Sequence, residues 1–318
     1  MMKTWHRVVL FAFIGLLLYA AVFYSVETRF VYGDPQENRF FQIKTLENSS
    51  YDYVILGSSH ALPFDFEDMN EQLEQMTGSQ ILNLATAGGG IVLNRLLFEY
   101  FLKRHNTKNI LYVLDSFALY SSEWNENRLN DSQLLQRAPF DLALAQLFFS
   151  YNFTGRASLG VTLDYLSGFS KLNNPHTANS THVQMEKWFN RPPYKPSASE
   201  RKERIERLYP GEIQPQAFDK YLTLFVDFIH FLKSQGIEVI VIKTPVPQVF
   251  YDMIPHEEEF NQRISGVLAG EGVPFYNFSL VNNDPKLFFD TDHLNRTGVM
   301  QFFADYFSPV LIEHRGND

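Results

Sequence analysis

The sequence predicts an α/β protein with a five-stranded parallel sheet and helices on both faces, preceded by one N-terminal transmembrane helix. Short apolar runs bounded by turn residues alternate with amphipathic segments, the pattern of strands and helices in such a sheet. A stretch of nineteen residues without a charge lies near the N-terminus. The 318 residues are 45% apolar and 20% charged, which excludes a disordered or low-complexity chain and provides for a large core.

The charge balance and the missing cysteines exclude several classes of function. A formal net charge of −9 argues against a general nucleic-acid binder. The chain has no cysteine, so disulfides, thiolate metal sites, iron–sulfur clusters and cysteine nucleophiles are excluded. It also lacks the GxxxxGK[ST] pattern of a phosphate-binding P-loop. No cofactor is expected.

The uncharged stretch, residues 8–26, predicts a membrane anchor. Its sequence is VVLFAFIGLLLYAAVFYSV, and at ~1.5 Å per residue a helix of this length would nearly cross the hydrocarbon core. Lys3 and Arg7 precede it, which favours a cytoplasmic N-terminus. We therefore expect a single-pass protein of the inner (cytoplasmic) membrane, with its main domain in the periplasm or outside the cell. A cleaved signal peptide is the alternative, but the run exceeds a usual h-region and no A-x-A site with a polar exit follows.

The rest of the chain divides into a connector and one domain. Residues 1–26 form the cytoplasmic tip and anchor, 27–50 a polar connector, and 51–318 the α/β domain. Strands are predicted at 53–57, 81–85, 109–115, 237–243 and 274–278, with helices near 66–76, 92–103, 218–233, 257–268 and 297–312. Residues 116–215 interrupt this rhythm and are predicted to be an insertion that caps the crevice, with an apolar helix near 140–149.

Two blocks of residues suggest a nucleophile and its base. Gly57-Ser58-Ser59-His60 follows the first strand, where a tight turn would project a serine hydroxyl into the crevice at the strand ends. Asp290-Thr291-Asp292-His293 precedes the last helix. A serine needs a base to remove its proton, and a histidine held by a carboxylate does this well. Asp290 can fold back onto the ring of His293, whereas Asp292 is expected to point away. Turn capping by these aspartates is the structural alternative.

A third block, Asn83-Leu84-Ala85-Thr86-Ala87-Gly88-Gly89-Gly90, follows the second strand. Glycines allow backbone N–H groups to approach a ligand closely, as an oxyanion hole requires. Loop flexibility, or anion binding at a helix N-terminus, would explain the glycines equally well.

Together, in this order, the three blocks resemble the SGNH/GDSL hydrolase and acyltransferase superfamily. The resemblance implies an SGNH-like fold with Ser59 as nucleophile and a triad completed by Asp290 and His293. It also implies an oxyanion hole formed by the backbone N–H groups of Ser59 and Gly88. It covers the sheet-forming segments and not the insertion.

Two departures from the family pattern bear on the function. Ser58 stands where GDSL enzymes carry Asp. In the family, a Gly-x-Asn motif after the third strand supplies an oxyanion donor, and here the third strand ends instead with Val113-Leu114-Asp115-Ser116. With the predicted anchor, these features look most like the envelope branch of the family. That branch includes the teichoic-acid D-alanylation protein DltD and the periplasmic alginate and cellulose O-acetylation proteins. The resemblance implies a membrane-bound O-acyltransferase (MBOAT) as partner.

The sequence thus predicts a membrane-anchored O-acyltransferase or esterase that acts on an envelope polysaccharide through an acyl-enzyme. The alternatives are a non-catalytic glycan-binding or scaffold partner of an MBOAT, and a plain esterase. His60, Gly89 and Ser116 are weaker candidates for substrate binding.

Three further features have competing interpretations. A metal site formed by both histidines and the neighbouring aspartates is a minor alternative, because it leaves Ser59 and the glycines without a role. The mixed charges at 195–207 are interpreted as a solvated helix face. The aromatic residues Phe140, Phe148, Phe149, Tyr151 and Phe153 are expected to pack in a core or cap, although they could face sugar, the bilayer or a membrane partner.

Overall fold

The computed structural model describes residues 2–33, 38–131, 133–173, 181–213 and 215–315. The chain divides into two compact units. One, here called the helical unit, comprises Met1–Leu46 and Asn130–Ala178, and the other, the sheet unit, comprises Glu47–Leu129 and Asn179–Asp318.

The sheet unit contains five parallel strands in the order β2-β1-β3-β4-β5. The strands are β1 Ser50–Gly57, β2 Ile81–Asn83, β3 Asn106–Val113, β4 Glu238–Lys243 and β5 Phe275–Asn277. This is the flavodoxin-like strand order, in which ligands bind at the carboxyl ends of the strands. The predicted fold class is confirmed.

The α-helices of the described residues are, in chain order, α1 Met2–Val26, α2 Arg39–Thr45, α3 Met69–Thr77, α4 Ile91–Phe101, α5 Phe117–Tyr120, α6 Glu126–Leu129, α7 Gln133–Gln136, α8 Leu142–Phe153, α9 Leu159–Ser167, α10 Phe169–Asn173, α11 Thr181–Phe189, α12 Ala198–Leu208, α13 Pro215–Ser234, α14 Gln248–Tyr251, α15 Glu257–Gly270, α16 Arg296–Phe302 and α17 Ser308–Arg315. Among the described residues, 3₁₀ helices occur at Ser59–Asp65, Ser122–Trp124 and Pro285–Leu287, and π-helical turns at Glu27–Val31 and Phe303–Phe307.

Helices cover both faces of the sheet because the buried strands are apolar on both sides. On one face, alternate strand residues such as Ile55, Leu111 and Ile240 share a core cluster with residues of α3, α16 and α17. On the other face, the ring of Tyr112 packs against Phe225 of α13, with ring centroids 4.9 Å apart.

The last helix differs from the single helix predicted at 297–312. It is divided into α16 and α17 by the π-helical turn Phe303–Phe307. Pro309 follows this turn, near the start of α17. Because proline lacks the backbone N–H that an uninterrupted α-helix would use, the regular helix is interrupted just before it.

Residues 116–215 are shared between the two units. Residues 130–178 group with 1–46 in the helical unit, whereas 116–129 and 179–215 belong to the sheet unit. The apolar helix expected at 140–149 is α8, and the side chain of Asp141 caps it by accepting a hydrogen bond from the Ala143 N–H at 2.9 Å. The cap role remains a prediction.

The N-terminal segment forms a long apolar helix. Among the described residues, the helical run Thr4–Val31 is long and apolar enough to cross a membrane, with a mean hydropathy of 2.3 over an 18-residue window. This length and composition fit either a single-pass anchor or a signal sequence.

Candidate active site

Two of the three sequence blocks lie at the carboxyl ends of the neighbouring strands β1 and β2, and the third precedes α16. β1 ends at Gly57 and is followed by Ser58 and Ser59, while β2 leads into the glycine run. Gly57 has φ +153°, and a Cβ there would lie 2.8 Å from the carbonyl oxygen of Val113 on β3. The turn that presents the serines therefore requires glycine at position 57.

The structure brings the predicted triad residues together. The Nε2 atom of His293 lies 2.9 Å from Ser59 Oγ, although the two residues are 234 positions apart. On the other side of the ring, Nδ1 lies 2.9 Å from Asp290 Oδ2 and 3.0 Å from Oδ1. This is the arrangement in which a histidine removes a serine proton while a carboxylate holds the ring.

The turn before α16 fixes Asp290 in place. Its Oδ1 atom accepts hydrogen bonds from the backbone N–H groups of Asp292 at 3.1 Å and His293 at 2.9 Å. Burial acts to raise the pKa of Asp290, but the nearby His293 outweighs it and holds that pKa below its ordinary value. Asp290 therefore both caps the turn and binds the ring, so the two interpretations of this motif are compatible.

His60 lies at the centre of a second buried cluster. Its Nδ1 atom is 2.7 Å from Asp115 Oδ1, and its Nε2 atom is 3.1 Å from Asp292 Oδ2. Burial opposes the charged ring, yet the two carboxylates raise the pKa of His60 to about 10. His60 is therefore an imidazolium at neutral pH that donates from both nitrogens. Its ring centroid lies 5.0 Å from that of His293.

Asp292 is buried and does not point into solvent. Arg204 of α12 binds it through Nε, 2.9 Å from Oδ2, and through Nη2, 2.7 Å from the same oxygen. The Nη2 atom also lies 3.4 Å from His293 Nε2. Burial works against its charge, but Arg204 and then the histidines hold the pKa of Asp292 well below its ordinary value.

Charged groups lie close to the ring of His293. Three carboxylates, Asp115, Asp290 and Asp292, face two cations, His60 and Arg204. When His293 takes the proton of Ser59, it adds a positive charge and the serine oxygen becomes an oxyanion, so the net charge of the cluster does not change. The carboxylate of Asp290 lies directly beside the ring that becomes charged.

Two backbone N–H groups are available for an oxyanion. Within the described residues, the N–H groups of Ser59 and Gly88 donate to no protein acceptor. Gly88 has φ +65°, and a Cβ there would lie 2.8 Å from the ring of Trp124. The N–H of Gly89, in contrast, donates to the carbonyl of Thr86 at 2.8 Å. These are the two donors that the resemblance implies.

Asp115 lies in the segment that stands in place of the Gly-x-Asn motif expected from the resemblance. It accepts hydrogen bonds from the Ser58 hydroxyl and from His60. Burial tends to raise the pKa of Asp115, but the His60 charge keeps it below the ordinary value. An ionised carboxylate only accepts hydrogen bonds, so it cannot replace the asparagine as an oxyanion donor.

Asn94 of α4 joins the serine turn after β1 to the glycine run after β2, and it has no sequence signal of its own. Its Oδ1 atom accepts from the Gly57 N–H at 3.2 Å, and its Nδ2 donates to the carbonyls of Gly89 at 3.2 Å and Gly90 at 3.0 Å. The side chain is fully buried. It thereby fixes the serine turn relative to the glycine run.

A small cavity of ≈ 20 Å³ lies beside His60. His60, Asp115 and Ser116 line one side, with the buried pair Lys243 and Glu257 and apolar residues around them. Ser116 donates to Glu257 Oε2 at 2.6 Å. Substrate binding by His60, Gly89 and Ser116 remains a prediction, since the polar side chains or N–H of all three are engaged in the protein.

Sequence reasoning missed Arg204, which was expected on a solvated helix face. Lys202 and Glu206 do lie exposed on α12, as a pair 3.7 Å apart. Arg204 instead lies on the same side of the helix as the buried Leu208, four residues further on. That spacing is the signal that could have identified its orientation.

The donor set could also be considered for a metal ion. His60, Asp292 and His293 offer ligand atoms within 4.8 Å of one another. However, the Arg204 guanidinium already supplies positive charge at Asp292, and Nε2 of His293 faces Ser59. We therefore assign no step to a metal.

Comparisons with known proteins give a likeness of overall fold. No protein-family model and no curated protein matches the chain. Among solved structures, it is similar to a candidate acylhydrolase from Bacteroides fragilis NCTC 9343, with 10% identity, a TM-score of 0.43, and coverage of 87% of this chain and 97% of that one. It is also similar to a GDSL-like lipase from Bacteroides thetaiotaomicron VPI-5482, with 9% identity, a TM-score of 0.42, and coverage of 86% and 95%.

Identities near 10% and TM-scores below 0.5 carry no argument about the reaction. The functional assignment therefore rests on the geometry of the site.

Proposed function

We propose that this chain is a membrane-anchored serine esterase or O-acyltransferase of the SGNH/GDSL superfamily that acts on an envelope polysaccharide. One observation carries the enzymatic part: His293 Nε2 lies 2.9 Å from Ser59 Oγ, with Asp290 bound to the opposite nitrogen of the ring. A hydroxyl, an imidazole and a carboxylate in this order form the apparatus of acyl transfer.

In the first half-reaction, His293 Nε2 removes the proton of Ser59 while Oγ attacks the acyl carbonyl carbon. The backbone N–H groups of Ser59 and Gly88 stabilise the oxyanion that forms. The leaving alkoxide then takes the proton from His293, which leaves an acyl ester on Ser59. Asp290 holds the ring in the required orientation throughout.

In the second half-reaction, an acceptor hydroxyl attacks the acyl-enzyme with His293 again as base. If the acceptor is a sugar hydroxyl, the acyl group is transferred; if it is water, the acyl group is hydrolysed. The proton returns to Ser59 Oγ as the tetrahedral intermediate collapses, which regenerates the enzyme.

We propose acetyl as the acyl group, from the resemblance alone. The acceptor class and the partner, a membrane-bound O-acyltransferase that would supply the acyl group, are proposed from the resemblance and from the apolar N-terminal helix.

Turnover of p-nitrophenyl acetate by the purified full-length chain tests this proposal. Wild type should release p-nitrophenol, and Ser59→Ala should lose a factor on the order of 10⁴ or more in turnover. Ser58→Ala is the matched control, because Ser58 precedes the nucleophile and its hydroxyl binds Asp115 instead of His293. Equal turnover by wild type and Ser59→Ala would remove Ser59 from the mechanism.

Transfer is distinguished from hydrolysis by adding acetylatable oligosaccharides to the same assay. Transfer predicts an acetylated sugar product and faster p-nitrophenol release as acceptor concentration rises, provided that deacylation limits the rate. Hydrolysis alone predicts acetate as the product at every acceptor concentration. Glycan acylation by cells carrying only Ser59→Ala would instead select the non-catalytic scaffold.

A further inference from the structure

The helical unit presents large apolar side chains to solvent. We call this set the apolar face; it comprises Leu142, Phe149, Phe153, Leu159, Leu163 and Phe169. Phe153 is 87% exposed, Leu142 70% and Phe169 63%. The expectation that the aromatic residues of this segment all pack in a core therefore holds for Phe148 and Tyr151, which are buried, and not for Phe149 or Phe153.

The exposed residues follow helical spacing. On α8, Leu142, Phe149 and Phe153 are separated by seven and four residues and so lie on one side of the helix. On α9, Leu159 and Leu163 are four residues apart. The same exposed side of α8 also carries Gln146 and Ser150, which are polar but uncharged, so its large side chains are the apolar ones.

The segment of the sequence that carries the apolar face contains few charged residues. From residue 142 to residue 170, Arg156 and Asp164 are the charged residues of the sequence. Arg156 lies over the ring of Tyr151, 5.7 Å from its centroid. Asp164 accepts hydrogen bonds from the backbone N–H and the hydroxyl of Ser170. Neither charge interrupts the series of exposed apolar residues.

The same unit contains the end of α1, and contacts within it fix the depth of the apolar face. The hydroxyl of Tyr19 donates to the carbonyl of Ser167 at the end of α9. The ring of Phe23 lies against Gly168, where a Cβ would be 2.4 Å from that ring. Glu27 binds Lys171 at 2.8 Å, and both residues are buried.

These contacts place the α9–α10 junction beside the apolar part of α1. Tyr19 lies seven residues before the end of α1 at Val26, which is ~10 Å along a helix axis. If α1 crosses the bilayer, Ser167 and the nearby Phe169 lie at the depth of Tyr19, which is inside the membrane and close to its outer surface. Trp5 near one end of α1 and Tyr19 and Tyr24 near the other are exposed, as expected at the two interfaces.

We propose that the apolar face is a membrane-docking surface that inserts into the headgroup and acyl-chain boundary of the bilayer that α1 crosses. Lipid is the occupant that the structure favours, because the face adjoins the exposed apolar surface of α1 and lacks the charges of a polar rim. The proposal rests on the anchoring role of α1 proposed above. It gives the chain a second membrane contact, made by α8, α9 and Phe169.

Nitroxide labels at single cysteines test the docking directly, because the natural chain contains no cysteine. Phe153→Cys, Leu163→Cys and Phe169→Cys report on the apolar face, and Lys202→Cys, an exposed position on α12, is the aqueous control. Leu16→Cys reports on α1 itself. Each full-length variant is reconstituted in phosphatidylcholine–phosphatidylglycerol vesicles, and collision rates with oxygen and with a water-soluble nickel chelate are measured.

Docking predicts that the oxygen rate exceeds the nickel rate at the three face positions and at Leu16, with the reverse at Lys202. Nickel-dominated collisions at all three face positions, with Leu16 in lipid, would overturn the docking and leave the anchor intact. Nickel-dominated collisions at Leu16 would instead overturn the anchor. Low rates for both reagents with spin–spin broadening would show a second copy covering the face, and would also overturn the proposal. Turnover of p-nitrophenyl acetate by the same variants tests the enzyme separately.

Discussion

Because His60 is a buried imidazolium, we predict that the protein becomes less stable to unfolding when the pH rises from 7 to 9. This prediction does not depend on enzymatic activity. Two carboxylates, those of Asp115 and Asp292, keep His60 protonated in the folded protein and raise its pKa to about 10. In the unfolded chain the same ring has an ordinary pKa of about 6.5 and has lost its proton at pH 7 and above.

The sign and slope follow from proton linkage. Because the folded pKa is raised, the stabilisation is fully present below about pH 6.5 and is lost as the pH rises through about 10. Between those values the folded state holds one proton that the unfolded state lacks. The free energy of unfolding should therefore fall by about 1.4 kcal/mol per pH unit, or about 3 kcal/mol between pH 7 and 9.

Urea unfolding of the full-length protein in detergent, followed by tryptophan fluorescence, measures this slope. All proteins carry Trp5→Phe, so that the signal comes from Trp124 and Trp188, which both belong to the unit that contains His60. His60→Gln should be less stable at pH 7 and should lose the slope. His230→Gln, at an exposed histidine, should retain it. A wild-type slope near zero over this range would refute the charged state of His60.

Three further substitutions probe the site. Asp290→Asn presents an amide N–H to His293 Nδ1 and favours the tautomer that cannot accept the Ser59 proton, so kcat for p-nitrophenyl acetate should fall about 10⁴-fold with little loss of stability. Asn94→Ala leaves the buried N–H of Gly57 without its acceptor, and urea unfolding should show a loss of about 3 kcal/mol. Gly88→Ala imposes a side chain at φ +65° and should cost more than about 1 kcal/mol in the same measurement while lowering kcat.

Gly211→Ala is the matched control for Gly88→Ala. Gly211 also has a positive φ, +77°, but a Cβ there would meet no atom within 4 Å, whereas at Gly88 it would approach Trp124. The control should therefore carry the backbone cost alone. Equal losses for the two variants would contradict the close approach at Gly88.

The parts of the structure predicted from sequence are those with strong local patterns. The strands before Ser59 and Gly88 are short apolar runs, and all five strands occur where the alternating pattern indicated them. Ser59, Asp290 and His293 could be proposed as partners because each lies in a recognisable block. Parallel topology brings the ends of β1 and β2 to one edge of the sheet.

The missed features depend on contacts between residues far apart in the chain. His60 and Asp292 are separated by 232 residues, and Arg204 and Asp292 by 88. The spacing of Arg204 and Leu208 indicates which side of α12 carries the arginine, but no local pattern identifies the carboxylate that it binds. The separate grouping of residues 130–178 with the N-terminal segment also depends on tertiary packing, as in the buried pair of Glu27 and Lys171.

Covalent trapping with a serine-directed fluorophosphonate tests the nucleophile most directly, since it needs no knowledge of the natural substrate. The account predicts one adduct per chain, located by mass spectrometry on Ser59, lost in Ser59→Ala and strongly slowed in His293→Ala, with Ser58→Ala still labelled. An adduct at another serine, or unchanged labelling after replacement of His293, would contradict it.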